Sequence, residues 1–94
     1  MATTSFHLRG DYESRRVWLN GKELFPEESQ KIKNHSPDGF AWGYGGSGPA
    51  QLSLAICIKL FGPEAAIKIY QDFKFNLIAG IPQESFERQL IWEW

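Results

Sequence analysis

Apolar and polar residues alternate with a two-residue period at three places in the first half of the chain. Phe6 and Leu8 alternate with His7 and Arg9, and Val17 and Leu19 alternate with Arg16, Trp18 and Asn20. Each pattern is that of a half-buried strand. Asn20-Gly21 supplies a type I′ hairpin turn into Lys22-Glu23-Leu24-Phe25. Phe40, Trp42 and Tyr44 alternate with Ala41 and Gly43, which predicts a last strand of this group with all three aromatics on one face. Between these strands, residues 26–39 are polar, with Glu27, Glu28, Lys31, Lys33, Pro37 and an Asp38-Gly39 turn. They predict an exposed loop with room for a short helical turn.

From Pro49 onward the period lengthens and two helices follow. Pro49 suits a first helical turn, where its missing N–H costs nothing; Gly48 is the expected cap, and Gln51 can reach back to the cap backbone. Leu52, Leu54, Ala55, Ile56, Cys57, Ile58, Leu60 and Phe61 leave only Gln51, Ser53 and Lys59 for water, so this helix is expected to be buried on most sides. Gly62-Pro63 ends it and begins the next. There Ala66, Tyr70, Phe73 and Leu77 form one stripe with Ile69 beside it, opposite Lys68, Asp72 and Asn76, and Gly80-Ile81-Pro82 stops the helix. The tail holds Phe86, Leu90, Ile91, Trp92 and Trp94 and reads equally as a strand or a helical turn. The expected fold is α+β: one domain over residues 1–94, with a small antiparallel sheet of three to four strands on two consecutive helices.

Composition narrows the class of function. Ninety-four residues suffice for one small core, and aromatics, 15% of the chain, supply much of it. A net charge of −1 argues against electrostatic capture of long nucleic acid. The single cysteine, Cys57, lies in an apolar run, so neither an internal disulfide nor a cysteine-based zinc site is expected. His7 and His35 are isolated, and no metal site is expected. Met1-Ala2-Thr3-Thr4-Ser5 lacks the basic and apolar parts of a signal peptide, and no apolar run reaches about 18 residues. A cytoplasmic protein without membrane association is the expectation.

The most specific segment is Trp42-Gly43-Tyr44-Gly45-Gly46-Ser47-Gly48-Pro49-Ala50-Gln51, which joins the aromatic segment to the first long helix. Glycines at a helix start expose backbone N–H groups toward the positive end of the helix dipole, where anions such as phosphate bind. Better-known chemistries fit poorly. Gly43-x-Gly45-x-x-Gly48 matches a dinucleotide fingerprint, but a second helix follows where a parallel strand with an acidic residue is required. Pro49-Ala50 stands where a P-loop places Lys-Ser/Thr. Gly45-Gly46-Ser47-Gly48-Pro49 lacks the last glycine of a nucleophile elbow, and neither histidine is near Ser47 in sequence. The glycines also have a purely structural reading, as residues that let the helix pack closely. Trp42 and Tyr44 read either as core or as rings that stack on a base.

The run from Trp42 to Leu52, with Tyr70-Gln71-x-Phe73-Lys74 and Ile81-Pro82, resembles a family of small uncharacterised proteins, a domain of unknown function from bacteria, plasmids and phages. The resemblance implies a mobile-element setting. It also implies one site built from Trp42, Tyr44, Gly45, Gly46, Ser47, Gly48, Gln51, Tyr70, Gln71 and Lys74. The segment from Phe86 onward matches that pattern only loosely.

The expected function is therefore non-enzymatic binding of a phosphate-bearing small molecule, nucleotide-like, without a cofactor. Sequestering a signalling nucleotide in phage or plasmid counter-defence is the role that follows from the resemblance. The alternative is an inhibitor or adaptor acting on a host protein, with the glycine turn purely structural. Trp92 and Trp94 either seal the core or form a homo-oligomer seam.

Overall fold

The computed structural model describes residues 3–93, so Trp94 lies outside the described residues. Four strands form one antiparallel sheet: β1 (Thr3–Gly10), β2 (Val17–Leu19), β3 (Lys22–Leu24) and β4 (Phe86–Glu93), in the order β3-β2-β1-β4. Alternation sets the faces. Phe6 and Leu8 point into the core, while Arg9 stays exposed and lies 3.9 Å above the ring of its cross-strand partner Trp18. At the β2–β3 turn Asn20 and Gly21 take φ of 51° and 82°, the backbone a two-residue I′ hairpin demands. The tail resolves as a strand: β4 runs beside β1 from Gly10↔Phe86 to Thr3↔Glu93.

Three helices follow the chain: α1 (Glu27–Ile32), α2 (Ser47–Phe61) and α3 (Pro63–Phe73). α1 is the short helical turn expected in the polar loop. α2 is the central rod, with every residue from Gly48 to Ile58 buried, because the sheet, α1 and α3 surround it. It begins at Ser47 with Gly46 as N-cap, earlier than the expected Gly48 cap, and Pro49 still falls in the first turn, where its missing N–H is harmless. Gly62 closes α2 through an N–H bond to the Ile58 carbonyl at 2.9 Å and Pro63 opens α3. Phe73 stacks on Phe6 at 5.7 Å and meets Trp92 at 5.3 Å, which ties α3 to β1 and β4.

Two expectations need correction. Residues 40–44 are not a strand, although Phe40 and Trp42 are buried as the alternation requires. This segment pairs with none of the four strands and is held by other contacts. The Gly43 N–H donates to the Ile78 carbonyl at 3.1 Å and the Trp42 Nε1–H to the Glu84 carbonyl at 2.9 Å. Trp42 packs edge-on to Phe86, and Tyr44 is 45% exposed rather than on a shared core face. The second long helix also changes pitch. After Phe73 it continues as a π-helical turn (Lys74–Ile78), closed by the Ala79 N–H on the Lys74 carbonyl at 2.8 Å, an i→i+5 bond. The wider turn sends Ile78 into the core and leaves Leu77 half-buried, while Lys74, still in α register with its N–H on the Tyr70 carbonyl, is buried and Phe75 is 63% exposed.

Candidate functional site

The glycine turn packs against the π-helical turn. At Gly43, φ is 88° and a Cβ would lie 2.5 Å from the Gln83 side chain and 2.8 Å from the Ile81 carbonyl. At Gly48 a Cβ would lie 2.5 Å from that of Ala41. These two glycines are demanded by packing. The middle pair serves aromatic rings instead. A Cβ on Gly46 would overlap the Tyr44 ring, which folds back over the start of α2, and one on Gly45 would meet Phe75 at 3.2 Å.

Lys74 is the third component. Its side chain is only 6% exposed, and its Nζ donates to the Gly45 carbonyl at 3.3 Å and stands 4.1 Å from the centre of the Phe75 ring. Among the described residues, no carboxylate pairs with it. Burying an ammonium without a counter-ion is unfavourable, and the uncapped N-terminus of α2 next to Gly45 adds positive potential. The π-helical turn and the glycine turn thus bring a cation, a helix start and two exposed aromatics into one neighbourhood.

One turn earlier on α3, Tyr70 is buried and its hydroxyl pairs with His35 Nε2 at 2.7 Å. Burial, with the charges of Lys33 and Lys74, holds the His35 pKa below its ordinary value, so the imidazole is neutral at neutral pH. His35 is positioned by Gln51. The Gln51 Oε1 accepts the backbone N–H of His35 at 2.7 Å and of Ser36 at 3.0 Å, while Nε2 donates to Ser29 Oγ at 2.8 Å and the Lys33 carbonyl at 3.1 Å. Gln51 therefore fastens residues 33–36 to α2 and does not reach back to the helix cap.

The residues expected from sequence divide accordingly. Tyr44, Gly45, Gly46, Ser47 and Lys74 lie at or beside the mouth of the turn, and Tyr70 lies beneath Lys74 on the same helix face. Trp42 is wholly buried under Phe86 and Tyr12, and Gln51 is fully engaged in the 33–36 loop. Gln71 is exposed, one residue off the face that carries Tyr70 and Lys74. Phe75 and His35 are additions. Phe75 lies beside Gly45 and Lys74, and His35 lies far from Tyr70 in the chain.

Elsewhere the chemistry is sparse. The Cys57 thiol is buried and its pKa is pushed up to about 12. Among the described residues no three His, Cys, Asp or Glu side chains gather as metal ligands, and no helix is long and apolar enough to cross a membrane. A cleft of about 460 Å³ between β3 and the end of α2 is lined by Leu19, Lys22, Leu24, Lys59 and Leu60 and lies away from the turn.

The chain belongs to a family of unknown function, DUF6166, whose sequence profile matches residues 8–94. No curated protein and no solved structure matches it.

Proposed function

We propose that this protein is a small binding module for an anionic, phosphate-bearing molecule with a planar ring system, of the nucleotide class. The observation that carries the reading is Lys74, a nearly buried ammonium with no carboxylate partner, directed at the Gly45 carbonyl beside the start of α2. A phosphate placed there meets the cation and the first α2 amides together. Tyr44 and Phe75, exposed on either side of Gly45-Gly46, offer the stacking surface for a base, an interaction of about 1–3 kcal/mol per base. Binding without turnover makes retention of the ligand the function. Sequestration of a signalling nucleotide, in the mobile-element setting that the sequence resemblance implies, is the biological role consistent with that chemistry.

The test is a thermal-shift screen against nucleotides, signalling dinucleotides, NAD derivatives and inorganic phosphate. A true ligand at one hundred times its Kd stabilises the fold by about 2.7 kcal/mol. Lys74→Met, which keeps the length and removes the charge, abolishes that shift, and Phe75→Ala weakens it. A screen with no shift from any of these compounds refutes the proposal.

A further inference from the structure

The two edges of the sheet are unlike each other. β3 is three residues long and carries Lys22, a short and charged edge of the kind that resists pairing. β4 is eight residues long, and among the described residues no backbone hydrogen bond from outside the sheet covers its outer edge. Two further observations fall on this edge. Ile91 is 55% exposed on the open face. On the other face Trp92 is 7% exposed, and its buried Nε1–H has no hydrogen-bond partner. Trp92 lines a cleft beside the edge, with Ile91, Glu93, Asn76 and Leu77. A long strand edge without backbone partners, carrying an exposed isoleucine beside an open cleft, marks a place where another chain adds a strand.

We infer that the occupant is a second copy of this chain, with the two β4 strands paired antiparallel about a two-fold axis at Ile91, so that the sheets join into one. The strand's own sequence selects this register. In a two-fold antiparallel pair, residues facing each other across the axis share a face, so the pairing is centred on one residue. Centred on Leu90, it sets Glu87 against Glu93, a like-charge pair. Centred on Gln89, it sets Glu87 against Ile91 and Arg88 against Leu90. Centred on Ile91, the exposed isoleucines cover each other, Leu90 faces Trp92 twice, and Gln89 faces Glu93 twice with amide donors toward carboxylates. This register buries the apolar residues together and opposes no like charges.

The experiment is a measurement of solution mass by light scattering on the full chain, together with a charge exchange at the axis. The wild-type protein runs at twice its 10.8 kDa chain mass. Ile91→Lys and Ile91→Glu each run at the single-chain mass with wild-type circular dichroism spectra, because residue 91 is largely exposed in the single chain. Mixed in equal amounts, the two variants return to the two-chain mass, since a lysine then faces a glutamate. A wild-type monomer at high concentration overturns the inference, as does a dimer that survives in Ile91→Lys. Failure of the two folded variants to associate when mixed overturns the Ile91-centred register.

Discussion

Replacing Gln51 by leucine removes a buried hub without changing side-chain size greatly. Four hydrogen bonds end on the amide, two from the backbone N–H groups of His35 and Ser36 and two from its own Nε2, to Ser29 Oγ and to the carbonyl of the exposed Lys33. An unsatisfied buried polar group costs about 1–3 kcal/mol. The Ser29 hydroxyl keeps its bond to the Pro26 carbonyl and loses little. The two orphaned amides lie in a half-buried loop that partly opens to water, so the expected loss is about 3 kcal/mol, roughly a hundredfold in the folding equilibrium. In urea unfolding followed by circular dichroism, a slope of about 1.5 kcal/mol/M turns that loss into a midpoint lowered by roughly 2 M. Ser53→Ala is the contrast: it removes one hydroxyl that returns to the Pro49 carbonyl of its own helix at 2.8 Å and is expected to cost less than about 1 kcal/mol. A Gln51→Leu protein within about 1 kcal/mol of wild type contradicts the assignment of Gln51 as the hub that holds residues 33–36.

Other expectations follow from the same contacts. His35 has a folded pKa below its unfolded value, so the unfolded chain binds the proton more readily. Its contribution to stability is present above about pH 6.5 and is lost as pH falls toward the folded pKa. His35→Gln therefore flattens the fall in melting temperature between pH 7 and pH 5, and an unchanged slope counts against the placement of His35 beside Lys33 and Lys74. The Cys57 thiol, with its pKa near 12 and no solvent access, stays unmodified by a thiol reagent at pH 8 until denaturant is added. Immediate reaction in the native protein contradicts its burial. Trp42→Ala, which empties the largest fully buried side chain, costs about 3–5 kcal/mol in chemical denaturation, and a loss below about 1 kcal/mol would sink the account of this aromatic cluster.

Much of this architecture can be read from spacing alone, because the residues responsible are neighbours in the chain. The Phe6/Leu8 and Val17/Leu19 alternations, the Asn20-Gly21 turn and the Gly62-Pro63 junction each encode their structure within a few positions. The buried α2 is legible for the same reason, since a helix with almost no polar face has no water-facing side. Residues 40–44 are not legible as a non-strand. An irregular segment laid between two layers buries alternate side chains as a strand does, and only contacts with residues distant in the chain, Gly43 to Ile78 and Trp42 to Glu84, distinguish the cases. Nor does the sequence announce the π-helical turn. A single widened turn shifts every later residue by part of a rotation, so the regular spacing predicts Leu77 in the core where Ile78 stands. Lys74 is legible by contrast, since it follows Tyr70 by one ordinary helical turn, with its N–H on the Tyr70 carbonyl, and so shares the buried face. The glycine motif was visible, but its division into Gly43 and Gly48 for packing and Gly45 and Gly46 for aromatic contact comes from residues distant in sequence.

The central claim is that an anionic ligand seats between Lys74 and the start of α2. It is tested most directly by an NMR titration of the labelled protein with the compound that gives the largest thermal shift. The account predicts saturable shifts at the backbone amides of Gly45, Gly46, Ser47 and Gly48 and at the side chains of Lys74, Tyr44 and Phe75, all lost in Lys74→Met. Shifts gathered at the cleft between β3 and α2, or a titration unaffected by Lys74→Met, would contradict it.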